Sequence, residues 1–245
     1  MIRPAAASVL FGALCILAAC AGHERKPPPL VTAAPTLTAS YAAAARAGAS
    51  VYRLNAGAST VHVLVDKAGL FSGVGHRHVV TVAGLRGFAR LDSNGAGHAD
   101  LSFPVAALVP DPVAAQKIYP HYSMPSAEDI AGTRAHMLGP VLDSKRYPWV
   151  TLHIQGRIDG ASPVLLAAIT LHGIRHKLKI GGKFTRHGSD LTAQGEFSIK
   201  QSAFGITPYS VMLGALRVKD TLQIRYHLVF NAWCPAPPSA KGTTC

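Results

Sequence analysis

The sequence predicts an all-β fold, and three observations carry this prediction. Apolar and polar residues alternate in several segments after Val51, as expected for strands with one buried face. Turn-forming stretches at 92–97 and 185–190 separate such segments. The chain has 245 residues, of which 49% are apolar and 15% charged, so it can bury a substantial core. One-sided strands joined by short turns are typical of antiparallel sheets, which indicates a closed barrel or a sandwich.

The first segment, residues 1–19, has the layout of a secretory signal peptide. Arg3 precedes a mostly apolar run that ends in small residues and is shorter than the roughly 20 residues of a membrane span. Residues 17–20 resemble a bacterial lipobox, in which Cys20 is acylated and becomes the mature N-terminus. Ordinary cleavage nearby, with Cys20 incidental, is the alternative. Because Ala21 rather than Asp follows, we expect a lipoprotein of the bacterial cell envelope, on the periplasmic side of the outer membrane.

Residues 20–50 are expected to form a lipid-anchored flexible tether with a short helix. The first part is rich in Pro, Ala and Thr and cannot bury a core. The helix follows it, with Ser40 as the expected N-cap, an alanine run, and Gly48 as the stop. The tether would let the domain stand away from the membrane.

The cysteines and the net charge both bear on an exported location. If Cys15 leaves with the leader and Cys20 is acylated, Cys234 and Cys245 remain, both in the C-terminal tail at 232–245. An oxidising compartment favours a disulfide between them, although two free thiols are the alternative. The net charge of +12 favours anionic head groups as a partner for an exported protein, and we expect no nucleic acid partner.

Five segments between Val51 and Phe230 show the period-two alternation most clearly. Each is expected to place its apolar residues on one face of a strand. These residues are Val61, Val63, Val65, Leu101, Phe103, Val150, Leu152, Ile154, Leu191, Ala193, Phe197, Ile199, Leu222, Ile224, Tyr226, Leu228 and Phe230.

One strand, at 163–174, is apolar on both faces, so its outer side is expected to be covered. A helix after Ser126 is the candidate cover. Ser126 and Asp129 fit a capping box at its start, and Gly139 and Pro140 are expected to end it.

Four motifs in order resemble the YceI family of exported proteins. They lie at 142–156 (a D-x-x-x-Y-P corner and its strand), 167–180, 195–206 (containing S-x-F-G) and 216–230. The resemblance covers residues 51–230 and implies a binding module rather than an enzyme. The implied fold is all-β: an eight-stranded antiparallel lipocalin-like barrel at 51–231, with one or two short covering helices. In this family the barrel interior holds a polyisoprenoid chain.

The residues themselves agree with a ligand cavity but do not require one. An eight-stranded barrel is just wide enough to fill with side chains or to hold one slender molecule. Its aliphatic inward positions suit an isoprenoid or acyl tail, although the same residues can pack a solid core. The family resemblance favours the cavity, and it implies an amphiphilic small-molecule ligand. We expect this ligand to be a bound polyisoprenoid or other lipid, and we expect no further cofactor. The residues expected to contact the ligand are His76, His78, Tyr147, His153, Leu171, His172, Phe197 and Phe204.

The closely spaced pair His76 and His78 allows several interpretations. The two imidazoles can line the pocket rim, stabilise a turn, or begin a metal site that recruits a third histidine such as His153, His172 or His176. A histidine-based periplasmic metal-binding protein is therefore the alternative function, and an enzyme using His76 and His78 as acid or base is a weaker one. No catalytic motif accompanies the pair, so we assign no catalytic residue and no metal. A homodimer stays open as the oligomeric state.

Overall fold

The computed structural model describes residues 36–73, 75–122, 124–159 and 163–235. The predicted signal peptide at 1–19, the lipidation site Cys20 and the cysteine Cys245 lie outside the described residues. Cys234 is disulfide-bonded, but its pairing with Cys245 stays a prediction.

Strands dominate the described residues, with three α-helices and one π-helical turn among them. The helices are α1 (Thr38–Arg46), α2 (Val113–Ile118) and α3 (Ala127–His136), and the π-helical turn is Met137–Val141. The strand segments are β1 (Ser50–Leu54), β2 (Thr60–Val65), β3 (Lys67–Ala68), β4 (His78–Val82), β5 (Arg86–Leu91), β6 (Ala96–Pro104), β7 (Leu108–Pro110), β8 (Trp149–Arg157), β9 (Val164–Leu171), β10 (Ile174–Gly181), β11 (Lys183–His187), β12 (Asp190–Lys200), β13 (Ser210–Val211), β14 (Leu216–Val218) and β15 (Thr221–Ala232).

Twelve of these segments form one closed antiparallel sheet. Four strands are each bent into two segments, namely β1 with β2, β4 with β5, β6 with β7, and β10 with β11, so the sheet contains eight continuous strands. Each strand pairs with the next along the chain, and β15 pairs back to β1 and β2. The protein is therefore a lipocalin-like up-and-down barrel, as predicted. Among the described residues, full closure leaves this twelve-segment sheet without an open edge.

The alternation of the strands is confirmed by the faces that they present. The apolar residues predicted to share a face all line the interior of the barrel, from Val61 on β2 to Phe230 on β15. The short segments β13, β14 and β3 form a separate three-stranded sheet. In the chain, β3 follows the end of β2, and β14 precedes the start of β15.

Helix α1 packs on the outer face of the barrel beside β1 and β5. The ring of Tyr41 stacks on Phe88 with centroids 5.2 Å apart, and its hydroxyl donates to Asp100 at 2.8 Å. Burial, and then this hydrogen bond, raise the pKa of Tyr41. Gly48, at φ +88°, follows the helix as predicted. The prediction that Ser40 is the N-cap was wrong, because the N-cap is Leu37 and the Ser40 hydroxyl donates to the Leu37 carbonyl.

Helix α3 begins as predicted but lies elsewhere than expected. The Ser126 hydroxyl accepts from the Asp129 N–H at 3.1 Å, and the Asp129 carboxylate accepts from the Ser126 N–H at 3.3 Å, which completes the capping box. The helix lines one end of the barrel interior instead of covering β9. The Arg134 guanidinium holds it there by donating to the carbonyl of Ala106 at 2.7 Å and to that of Leu108.

Two sequence predictions about this region were therefore wrong. The first part of the outer face of β9 is not covered, since Val164 is 58% and Leu166 37% exposed, whereas Ala168 further along is buried. Gly139 and Pro140 do not end the helix, because both lie inside the π-helical turn. The Leu142 N–H donates to the Met137 carbonyl five residues back, and this wider turn accommodates the proline, which has no N–H to donate.

Candidate ligand-binding cavity

The barrel encloses an apolar cavity of about 570 Å³. Side chains from all eight strands line it, and most of them are Val, Leu, Ile, Ala or Phe. The volume lies within the range of about 300–1,000 Å³ that is usual for small-molecule pockets. The interior is therefore hollow, and the solid-core alternative that the sequence left open does not apply.

Small inward-facing side chains on several strands contribute to this space. Ala89 pairs with Ala99, Ala99 with Ile154 on the next strand, and Ile154 with Ala167. Ala193 adds a further small residue on β12, and all of these line the cavity. A packed barrel needs larger side chains at such positions to fill its width.

The polar groups of the cavity lie mostly at the end that α3 covers, which we call the mouth. Several come from α3 and others from the adjacent strand ends and loops: His78, Glu128, Asp129, Thr133, His136, Gln201 and Tyr209. The opposite end is lined by residues that include Leu91, Ile158 and Phe184, with Arg90 and His98 as its polar members. A molecule with an apolar chain and one polar end matches this distribution.

A buried carboxylate fixes His78 at the mouth. The side chain of Asp111 has no exposed surface, and its Oδ2 lies 2.6 Å from His78 Nδ1. The Oδ1 atom of Asp111 accepts from the Val79 N–H at 2.9 Å, and the backbone N–H of Asp111 donates to the Val79 carbonyl at 2.8 Å. Because Nδ1 of His78 is engaged by this carboxylate, Nε2 is the ring nitrogen that can meet another partner.

The residue Asp111 was missed by sequence reasoning. It lies 33 residues from His78, and its local signal is only its place before Pro112. Its left-handed φ of 47° is uncommon for a residue other than glycine, and it allows the carboxylate to meet both Val79 and His78.

Three of the predicted contact residues line the cavity, namely His78, Leu171 and Phe197. His76 lies beside His78, with ring centroids 6.5 Å apart, but it precedes β4 and does not line the cavity. Phe204 is completely buried outside the lining and meets the ring of His176 edge-on at 5.8 Å.

The other three predicted residues also lie outside the lining. His153 is on the outer face of β8, where its Nδ1 lies 2.5 Å from Asp100. This follows from the alternation, because its neighbours Leu152 and Ile154 point inward. Tyr147 and His172 pack against each other with ring centroids 4.5 Å apart. The eight predicted residues therefore do not converge on one place.

A hydrogen bond inside the barrel links β15 to the bend between β10 and β11. Tyr226 points inward, and its hydroxyl donates to the Gly181 carbonyl at 3.0 Å. A Cβ on Gly195, the residue paired with Tyr226, would lie 2.8 Å from both that hydroxyl and that carbonyl oxygen. Glycine thus makes room for the ring, and burial raises the pKa of the Tyr226 phenol.

Neither a metal site nor a membrane-spanning helix is found in the part of the chain that the structure describes. No three His, Cys, Asp or Glu side chains there are grouped so as to hold a metal ion. The helices among the same residues are too short or too polar to cross a bilayer.

Fold and site together define a lipocalin-like barrel with an apolar internal cavity and a polar mouth. The model of the YceI-like domain matches residues 52–230, and the chain belongs to the YceI family. No curated protein matches it.

Several solved structures resemble the barrel, and two of them illustrate the likeness. BcnA of Burkholderia cenocepacia has 18% sequence identity and a TM-score of 0.54, over 72% of this chain and 98% of BcnA. A polyisoprenoid binding domain from Saccharophagus degradans, implicated in plant cell wall breakdown, has 14% identity and a TM-score of 0.52, over 74% of this chain and 98% of that domain. At these identities the likeness establishes the fold.

Proposed function

We propose that the protein binds an isoprenoid or similar amphiphilic lipid, with the apolar chain in the barrel and the polar end at the mouth. The observation that carries this proposal is the apolar cavity of about 570 Å³. Burial of a chain there contributes about 0.8 kcal/mol per methylene-sized group. The similar barrel from Saccharophagus degradans, described as a polyisoprenoid binding domain, supports the same class of ligand.

His78, held by Asp111, is the proposed contact for the polar end. With Nδ1 engaged by Asp111, Nε2 of His78 is the ring nitrogen left to form a hydrogen bond with a hydroxyl group, which can donate or accept. Glu128 and Asp129 also face the mouth. They disfavour an anionic head group, since like charges repel.

The cellular setting is part of the proposal. Export by the leader at 1–19 and acylation of Cys20 would place the barrel on the periplasmic side of the outer membrane. The protein would then hold its ligand without chemically changing it, as a carrier or sensor.

Extraction of the purified protein with organic solvent, followed by mass spectrometry, tests the class of ligand. We expect an isoprenoid or acyl-chain lipid in the extract. If the extract is empty and the protein also fails to bind added geranylgeraniol in calorimetry, the proposal is wrong.

A pair of histidine variants tests the polar contact. His78→Ala should weaken geranylgeraniol binding about tenfold, which is the loss of one hydrogen bond of about 1.4 kcal/mol. His153→Ala is the matched control, because His153 is also bonded to a carboxylate but lies on the outer face. Equal affinities for the two variants would exclude His78 as the head-group contact.

A further inference from the structure

The small sheet formed by β3, β14 and β13 extends past the mouth of the barrel. β3 follows the end of β2, and β14 precedes the start of β15. Val65 at the end of β2 and Val218 at the end of β14 both line the cavity. The turns of this small sheet are therefore the part of the protein just outside the cavity entrance.

Two turns of this sheet carry large apolar side chains that are open to water. Leu70 and Phe71 lie in the turn after β3 and are 92% and 50% exposed. Met212 and Leu213 lie in the turn between β13 and β14; Met212 is 66% exposed and Leu213 is fully exposed. We call these four residues the apolar tip. Exposed apolar residues grouped in this way mark interaction sites more often than scattered ones do.

The backbone fixes the two turns of the apolar tip relative to each other. The Phe71 N–H donates to the Ala215 carbonyl at 2.9 Å, which ties the two turns together. Gly69, at φ +99°, permits this approach, because a Cβ there would lie 2.3 Å from the same oxygen. Met212 and Leu213 adopt φ values of 52° and 53°, which are unfavourable for residues with a side chain. Residues in such uncommon backbone conformations cluster at functional sites, which makes this exposed turn a candidate for one.

Cationic side chains lie on the small sheet and next to it in the chain. Lys67 and Arg217 belong to the small sheet, and Arg77 and Lys219 lie next to it. Asp66 pairs with Arg77 at 3.6 Å and with Lys219 at 3.3 Å, so one carboxylate faces two of the four cations. The excess of positive charge behind an apolar tip fits a surface that is apolar inside and anionic at its face, which is the chemistry of a bilayer with anionic lipids.

We propose that the apolar tip inserts into the interface of an anionic lipid bilayer and thereby keeps the cavity mouth close to the bilayer surface. Insertion itself goes beyond the proposed function and does not require it. Transfer of a ligand between bilayer and barrel, without passage of its apolar chain through water, is the consequence that rests on the proposed function.

Vesicle co-sedimentation of the full chain tests this inference. All proteins carry Cys20→Ala, so that the expected acylation does not contribute, and all share the same leader. The vesicles are phosphatidylcholine with or without phosphatidylglycerol. Leu213→Asp should lower partitioning onto the anionic vesicles at least about tenfold, because it removes the burial of a leucine and adds a negative charge. Val164→Asp is the matched control on an exposed apolar residue of β9 and should leave partitioning unchanged.

The remaining outcomes also decide the inference. Equal partitioning of Leu213→Asp and its parent would overturn it, as would equal loss in the Val164→Asp control. Sedimentation velocity tests a second copy of the chain as the occupant: a dimer that Leu213→Asp dissociates, with vesicle binding unchanged, would also overturn it. Near-ultraviolet circular dichroism checks folding, and Leu70→Ser serves as the second variant if Leu213→Asp is misfolded. Lipid extraction is independent, so an empty barrel that still binds vesicles refutes only the proposed function.

Discussion

Replacing one cavity-lining alanine by leucine should weaken ligand binding and leave the ligand-free barrel stable. Ala167 is completely buried on β9 and lines the cavity between Ile154 and Leu178 on the neighbouring strands. Ala167→Leu adds about three methylene-sized groups to this space. Because the added groups point into a void, they need not displace neighbouring side chains.

The two expected effects have opposite signs. Displacing ligand chain of the same size removes about 0.8 kcal/mol per group, or about 2.4 kcal/mol in all, which is about a 50-fold loss of affinity. Filling a void should leave the free energy of unfolding unchanged or raise it by up to about 2 kcal/mol. In a solid core the same substitution would instead destabilise the protein by about 1–3 kcal/mol.

Calorimetric titration with geranylgeraniol and urea denaturation of the ligand-free protein measure the two quantities. Ala168→Leu is the control, since Ala168 lies one residue away, on the outer face opposite His153 and Lys177. It should leave the affinity unchanged. A destabilised Ala167→Leu protein, or one that binds the probe as tightly as its parent, would refute the reasoning that the cavity is open and takes the chain.

Two further predictions concern the barrel itself. Burial lowers the pKa of His62, so the unfolded chain binds more protons than the folded one, and the stability that neutral His62 contributes should be present above its ordinary pKa of about 6.5 and be lost as the pH falls below it. The urea midpoint should therefore fall less between about pH 7.5 and pH 5 in His62→Gln than in the parent protein. Parallel curves for the two proteins would contradict this assignment. Gly195→Ala places a methyl group against the Tyr226 hydroxyl and the Gly181 carbonyl, and it should destabilise the protein by about 1–3 kcal/mol in thermal unfolding. An unchanged melting temperature would show that the hydrogen bond between these two groups is not needed for stability.

The sequence predicted the barrel because strand alternation is a local property. Successive side chains of a strand point to opposite faces, so the inward residues of β2, β8, β12 and β15 can be recognised without knowledge of their neighbours. The capping box of α3 is equally local, since Ser126 and Asp129 are three residues apart. The order of the four family motifs added the eight-stranded closure.

The placement of partners from distant segments was beyond the sequence. The sequence reasoning singled out His153 and Phe204, which lie outside the cavity, and missed Asp111. Whether a histidine faces a cavity or a carboxylate depends on strand register and on where the bent strands turn. Those features are set by pairing between segments and have no local sequence pattern.

The amino-acid sequence by itself determined the fold class, the inward faces of the strands and the YceI family, because each is written in local periodicity or in motifs. Only the tertiary structure decided that the barrel is hollow, that Asp111 holds His78 at the mouth, and that an apolar tip stands beside it. Alanines contribute to a cavity only when register sets Ala89 beside Ala99 and places Ala167 on the other side of Ile154, all facing inward. The physical reason is that volume, burial and charge at a site are sums over segments that only the folded chain brings into contact.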